Sequence, residues 1–181
     1  DSSTYSPSVP TELTATLRPY QIEGYQWIAR LNSWGAGALL ADDMGLGKTL
    51  QTIAFLLLKQ AEGASLVVAP ASVAPNWKTE IERFAPTLRV HILNYAADRQ
   101  QLISQAAAGD VVVTTYGILL SVQDALTQKQ WNVACLDEAH IIKNRGAKTS
   151  AAAMKIQAAN RVMLTGTPVQ NHLGELWSLF Q

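Results

Sequence analysis

The chain has 181 residues, 48% of them hydrophobic, which suits one domain with a substantial core and leaves too little for two full ones. Its 14 Lys and Arg residues balance 14 Asp and Glu, which excludes a strongly basic module that grips duplex nucleic acid by neutralising phosphates, but not local phosphate contacts. The single cysteine, Cys135, rules out an internal disulfide, and no apolar run reaches the roughly 18 residues of a bilayer span. No signal peptide is visible and the first residue is Asp1, so a cytoplasmic or nuclear protein, excised from something larger and without a membrane partner, is expected.

Residues 1–12, rich in serine and proline, read as a linker or tail, with the domain over 13–181. Apolar residues at Tyr20, Ile22, Tyr25, Trp27, Ile28 and Leu31 predict a helix over Arg18–Leu31, with Pro19 in its first turn. Short apolar runs follow at Ala38–Ala41, Leu66–Ala69, Val90–Leu93, Val111–Thr114, Val133–Leu136 and Arg161–Leu164. Helical stretches separate them: Lys48–Gln60, Val73–Phe84, Asp98–Ala108, Tyr116–Thr127 and Thr149–Ala158. Continuous apolar strands alternating with helices predict a doubly wound α/β fold, a mainly parallel sheet covered on both faces. Such sheets bind ligands at the carboxyl ends of their strands.

The first strand runs into Asp42-Asp-Met-Gly-Leu-Gly-Lys-Thr49 and then a helical pattern. That order suits a phosphate loop. Glycines let backbone N–H groups turn inward round an anion, and the helix begins with its positive dipole end facing it. Lys48 would reach the β- and γ-phosphates and the Thr49 hydroxyl would ligate Mg²⁺. The strict pattern has glycine where this chain has Asp42, and a glycine-rich turn with a surface lysine is the plainer alternative.

The run Val133–Leu136 leads straight into Asp137-Glu-Ala-His140. Two acids at the edge of a core need a compensating partner, and Mg²⁺ is the natural one. Asp137 would hold the metal and Glu138 would orient the attacking water. Taken alone, Asp137 could instead cap a following helix. Cys135 and His91 read as structural residues, whereas His140 lies inside the acidic run, where a coupling role suits it.

Taken together, Leu17-Arg-Pro-Tyr-Gln21, Asp42–Thr49, Asp137–His140 and Leu164-Thr-Gly-Thr-Pro168 occur in one order that closely resembles the first RecA-like lobe of Swi/Snf-type ATPases, within the superfamily 2 helicases. Asp42 in place of glycine is typical of that family. Further matches are Ala69–Val73 with Asn76-Trp77, Thr114–Gly117, Lys143-Asn144 and Pro168–Asn171, so the resemblance spans Leu17 to Asn171.

The resemblance implies an ATP site built from Gln21, which would read the adenine edge, and from Asp42, Asp43, Met44, Gly45, Leu46, Gly47, Lys48 and Thr49. A surface polar residue is the alternative for Gln21. It implies Mg²⁺ at Thr49 and Asp137, catalysis by Glu138 with Lys48, and coupling through His140, Thr165, Gly166, Thr167 and Gln170. Ser72, Asn76, Thr114 and Thr115 fall in segments that contact the nucleic-acid backbone in related motors, and Lys143 and Arg145 are further candidate phosphate contacts.

The activity implied is a DNA-dependent ATPase that translocates on double-stranded DNA and remodels protein–DNA complexes. A strand-separating helicase, an RNA-dependent ATPase and a non-hydrolysing nucleotide-dependent scaffold are the alternatives. Retention of Glu138 speaks against the scaffold. In that family a second RecA-like lobe supplies arginines to the γ-phosphate, worth about 10³ to 10⁵ in rate, and nothing here resembles that segment. The chain alone is therefore expected to hydrolyse almost no ATP. The alanine- and glutamine-rich helices lean towards a bacterial source.

Overall fold

A computed structural model describes residues 4–41 and 47–166. Six strands form one sheet in the order β1-β6-β5-β2-β4-β3, with every neighbouring pair parallel. They are β1 (Ala38–Ala41), β2 (Ser65–Ala69), β3 (Arg89–Ile92), β4 (Asp110–Thr115), β5 (Gln130–Leu136) and β6 (Gln157–Thr165). Helices α1 (Pro19–Ser33), α2 (Lys48–Leu58), α3 (Ala74–Phe84), α4 (Arg99–Gln105), α5 (Gln123–Gln128) and α6 (Ala147–Met154) connect them. The doubly wound parallel fold expected from the alternation is present.

Two cores flank the sheet. Val67, Val111, Val113, Val133, Cys135, Val162 and Leu164 point to the side covered by α1, α2 and α3. Their neighbours Leu66, Val68, Val112, Ala134, Leu136 and Met163 face the side covered by α4, α5 and α6. Period-two alternation with both faces buried is why these strands read as unbroken apolar runs. In α2, Ile53–Leu57 are all buried, because that helix is packed between the sheet and its neighbouring helices.

Two predicted helices fold differently. The stretch Tyr116–Thr127 forms two 3₁₀ turns, Tyr116–Ile118 and Leu120–Val122, before α5 begins at Gln123. Its buried residues Tyr116, Leu119 and Val122 recur every third position, which fits the three-residue 3₁₀ turn rather than 3.6. The stretch Thr149–Ala158 is helical only to Met154, and β6 has begun by Gln157. Ala158, Asn160 and Val162 are buried alternately, so strand periodicity overrides the helical propensity of the alanines.

The segment before α1 lies along that helix. Arg30 Nε donates to the Tyr5 carbonyl at 3.2 Å, Gln26 to the Pro7 carbonyl at 3.3 Å, and the buried Tyr25 hydroxyl to the Ser8 carbonyl at 3.1 Å. Leu13 and Leu17 then enter the core.

Candidate nucleotide site at the carboxyl edge of the sheet

Because the sheet is parallel, the carboxyl ends of β1, β6 and β5 lie side by side on one edge. Ala41 pairs with Thr165, and Leu136 with Met163. The phosphate-loop candidate follows β1, the acids follow β5, and Thr165-Gly166 closes β6 between them.

Lys48 is the first residue of α2 and is buried, with only 6% of its surface exposed. Its ammonium donates to the Thr165 carbonyl at 2.7 Å. The plainer reading, a surface lysine after a turn, is therefore excluded. Gly47 precedes it at φ 89°, in the left-handed region that glycine adopts freely. A Cβ here would lie 2.5 Å from Nε2 of Gln21. Gln21 itself is buried and accepts from the Arg18 backbone N–H at 2.8 Å, which fixes its amide against the end of the loop. It is not a loose surface residue. Thr49 follows Lys48 at the helix N-terminus and is partly exposed. Residues Asp42, Asp43, Met44, Gly45 and Leu46 lie outside the described residues, as do Thr167 and Gln170.

Asp137 is buried and held on three sides. Trp77 Nε1 donates to its Oδ2 at 2.7 Å, the Glu138 backbone N–H donates to Oδ1 at 2.8 Å, and the Tyr116 hydroxyl donates to its backbone carbonyl at 2.7 Å. Burial pushes the Asp137 carboxyl above the usual carboxylate range, and the charge of Glu138 adds to this. The Trp77 hydrogen bond, the Glu138 N–H and the charge of Lys48 oppose it. Each carboxylate oxygen has capacity left for a further partner.

Glu138 sits at φ 49° and ψ 48°, alone among the described non-glycine residues in having a positive φ. Such a conformation costs roughly 1–3 kcal/mol and survives only where surrounding bonds over-determine it. His140 Nε2 lies 3.5 Å from Glu138 Oε2, and its Nδ1 lies 3.1 Å from the Thr165 hydroxyl. A continuous polar path thus runs Lys48, Thr165, His140, Glu138, and joins the loop helix to the acids. Gly166 is packed next to Glu138, because a Cβ there would come to 3.9 Å from Oε1.

The donor set fits a nucleotide-bound divalent cation. No group of three His, Cys, Asp or Glu among the described residues could hold a metal. One carboxylate and one hydroxyl, Asp137 and Thr49, leave most of a coordination shell to phosphate oxygens and water, as Mg²⁺ prefers.

The other predicted residues share the same sheet edge. Ser72 is exposed after β2, Asn76 is exposed on the first turn of α3, and Lys143 and Arg145 are exposed on the 3₁₀ segment Ala139–Arg145. Thr114 and Thr115 are buried at the end of β4. Asn94 donates to the Thr115 hydroxyl at 2.9 Å and accepts from that of Thr114 at 3.4 Å. Sequence reasoning assigned no role to Trp77, Tyr116 or Asn94. Trp77 and Tyr116 lie within Asn76-Trp77 and Thr114–Gly117, but their hydrogen bonds cross 60 and 21 residues of chain, which no local pattern reveals.

Residues 20–181 match the SNF2-related domain. The chain belongs to the SNF2-related family. A putative ATP-dependent helicase/translocase, YwqA of Bacillus subtilis, is 44% identical over 179 residues, covering 95% of this chain and 19% of that protein. The TATA-binding protein-associated factor mot1 of Schizosaccharomyces pombe is 40% identical over 189 residues, covering 96% of this chain and 10% of that protein. Among solved structures, the Sulfolobus solfataricus SWI2/SNF2 ATPase core in complex with dsDNA superposes with a TM-score of 0.79 at 38% identity. That match covers 94% of this chain and 36% of that one. The SNF2-related domain described here thus spans a minor part of the length of the proteins it matches. No helix among its described residues is long and apolar enough to cross a membrane.

Proposed function

We propose that this domain is the ATP-binding lobe of a DNA-dependent ATPase that translocates on duplex DNA and remodels protein–DNA complexes. The observation that carries the reading is the path from buried Lys48 through Thr165 and His140 to Glu138. It joins a phosphate-binding helix N-terminus to an acid in a strained conformation. Lys48 would bind the β- and γ-phosphates, and Gln21 would read the adenine edge. Thr49 and Asp137 would hold Mg²⁺, which when bound neutralises charge on the phosphates. Glu138 would take a proton from the attacking water, and His140 would keep its carboxylate oriented.

The segments carrying Ser72, Asn76, Thr114, Thr115, Lys143 and Arg145 would face the DNA backbone. Thr165, Gly166, Thr167 and Gln170 would couple nucleotide state to that grip. A second RecA-like lobe would complete the site with arginines, consistent with the greater length of the matched proteins. The relatives include a bacterial and a eukaryotic protein, so the compartment would be the bacterial cytoplasm or the nucleus.

The test is phosphate release by the full-length protein with duplex DNA, single-stranded DNA or RNA. Stimulation by duplex above the other two is expected. Glu138→Gln should bind ATP yet lose at least about a hundredfold in turnover, since the near-isosteric amide cannot act as a base. Wild-type turnover in that variant would show that another residue activates water.

A further inference from the structure

Asp137 is gripped by two aromatic residues, and each directly follows a residue assigned to DNA contact. Trp77 follows Asn76 on the first turn of α3, and Tyr116 follows Thr115 at the end of β4. We propose that Trp77 and Tyr116 are positioning residues that transmit the state of the DNA-facing segments to the acid pair, Trp77 through the Asp137 carboxylate and Tyr116 through the peptide that sets the Glu138 conformation. The inference rests on the motor reading above.

The two bonds do different things. The indole N–H donates to Asp137 Oδ2 at 2.7 Å, and Trp77 is fully buried, so this charge-assisted bond fixes the carboxylate in a water-poor environment. A metal-binding carboxylate oriented in this way binds tighter, and loss of such a partner typically costs about 10- to 100-fold in metal affinity or activity. The Tyr116 hydroxyl instead donates to the Asp137 carbonyl. That carbonyl belongs to the peptide linking Asp137 to Glu138, so its direction is tied to the Glu138 φ of 49°. Holding it holds the strained backbone that aims the Glu138 carboxylate.

On the α3 side the outer neighbour differs from the inner one in exposure. Asn76 is exposed and Trp77 is not, although they are consecutive residues about 1.5 Å of helix rise apart. A DNA phosphate that shifts Asn76 therefore shifts Trp77 with it. Burial raises the carboxyl of Glu80, one turn along α3, while the Asn76 side chain lowers it and the charge of Asp137 raises it, so Glu80 senses both residues. On the β4 side, Asn94 fastens the Thr115 hydroxyl at 2.9 Å, so Thr115 and Tyr116 move as a unit with the turn that bears Asn94.

The experiment uses the full-length protein with Trp77→Phe and Tyr116→Phe, both of which remove the donor. Tyr116→Phe keeps its ring, whereas Trp77→Phe also gives up the pyrrole half of a fully buried indole, so the melting temperature is read beside the other quantities. Three quantities are read: the Mg²⁺ midpoint for binding a fluorescent ATP analogue, the ratio of DNA-stimulated to basal ATPase, and the melting temperature. We expect Trp77→Phe to raise the Mg²⁺ midpoint about tenfold. Tyr116→Phe should leave that midpoint within about twofold, since it touches no metal-facing atom. Both should lower the stimulation ratio at least about threefold, the size of a weak coupling. A merely structural role would lower the melting temperature and the active fraction while leaving midpoint and ratio unchanged, and that result overturns the inference.

Should Trp77→Phe not fold, the wild type still decides. Coupling is reciprocal, so saturating duplex DNA must lower the Mg²⁺ midpoint by at least about threefold, and an unmoved midpoint overturns the inference. A wild-type protein that duplex DNA does not stimulate refutes the motor reading itself. Stimulation that survives in both variants refutes only the wiring through Trp77 and Tyr116.

Discussion

Replacing Gly47 with alanine tests whether Gln21 is locked against the start of α2. Two costs combine. An L-residue at φ 89° pays roughly 1–2 kcal/mol for the left-handed conformation. Its new methyl would also sit 2.5 Å from Gln21 Nε2 and 3.2 Å from Cγ, so Gln21 must swing away and give up its bond from the Arg18 N–H. A hydrogen bond of that kind is worth about 0.5–1.5 kcal/mol net. Gly35 supplies the control, since at φ 78° it has nothing within 4 Å of an added Cβ and alanine there pays the conformational cost alone. In urea denaturation, Gly47→Ala should lose about 1 kcal/mol more than Gly35→Ala. In a Gln21→Ala background the excess should vanish, because no amide remains to displace. Gly47→Ala should also erode discrimination between ATP and GTP, as Gln21 would read the adenine edge. Equal losses at the two glycines, or an excess that persists without Gln21, would refute the packing argument.

Lys48→Ala should weaken Mg·ATP binding roughly 10- to 150-fold by calorimetry, the equivalent of one charge-assisted bond to phosphate, and unchanged affinity would remove Lys48 from the site. The variant should still fold, although it loses the 2.7 Å bond to the Thr165 carbonyl. Burial works to raise the Asp110 carboxyl, but the Ala107 N–H, Arg89 and His91 together hold it below its usual value. Its stabilising contribution is therefore present above a pH of about 4 and fades as pH falls further. Asp110→Asn should flatten the acid limb of a stability-versus-pH curve, and an unaltered limb would show the ion pairs to be idle. Burial and the charge of Asp137 push the Cys135 thiol well up, and the residue is fully enclosed. Reaction with Ellman's reagent should be no faster than global unfolding, and rapid labelling of the folded protein would contradict the packed β5.

Some of this was legible because it is local. Unbroken apolar runs mark buried parallel strands, and the glycines before Lys48 mark the turn into α2 at the carboxyl edge of the sheet. The stretch Tyr116–Thr127 departs from the predicted helix because its apolar residues suit both a 3₁₀ and an α repeat over so short a span, and only the tertiary demand on Tyr116 decides. Ala151–Ala153 and Ala158-Ala159 all carry helical propensity, yet sheet pairing claims Ala158 and Ala159 for β6. Residues that hold Asp137 in place could not be seen at all, since a buried indole reads as core until its donor is found to have a carboxylate partner. Asn94 was hidden for the same reason, its partners lying 20 and 21 residues further along the chain.

The strand order carries a consequence for synthesis. Among the described residues β1 pairs with β6 alone, although more than a hundred residues separate them in the chain. As the polypeptide leaves the ribosome, Ala38–Ala41 must wait without a partner while β2, β4, β3 and β5 are made and can assemble on one another. The strand that leads into the proposed phosphate loop gains its ladder only when Ala38–Ala41 can lie against Val162–Thr165. On the proposed reading of the loop as an ATP site, nucleotide would bind only after β6 has been inserted between the loop and the acids.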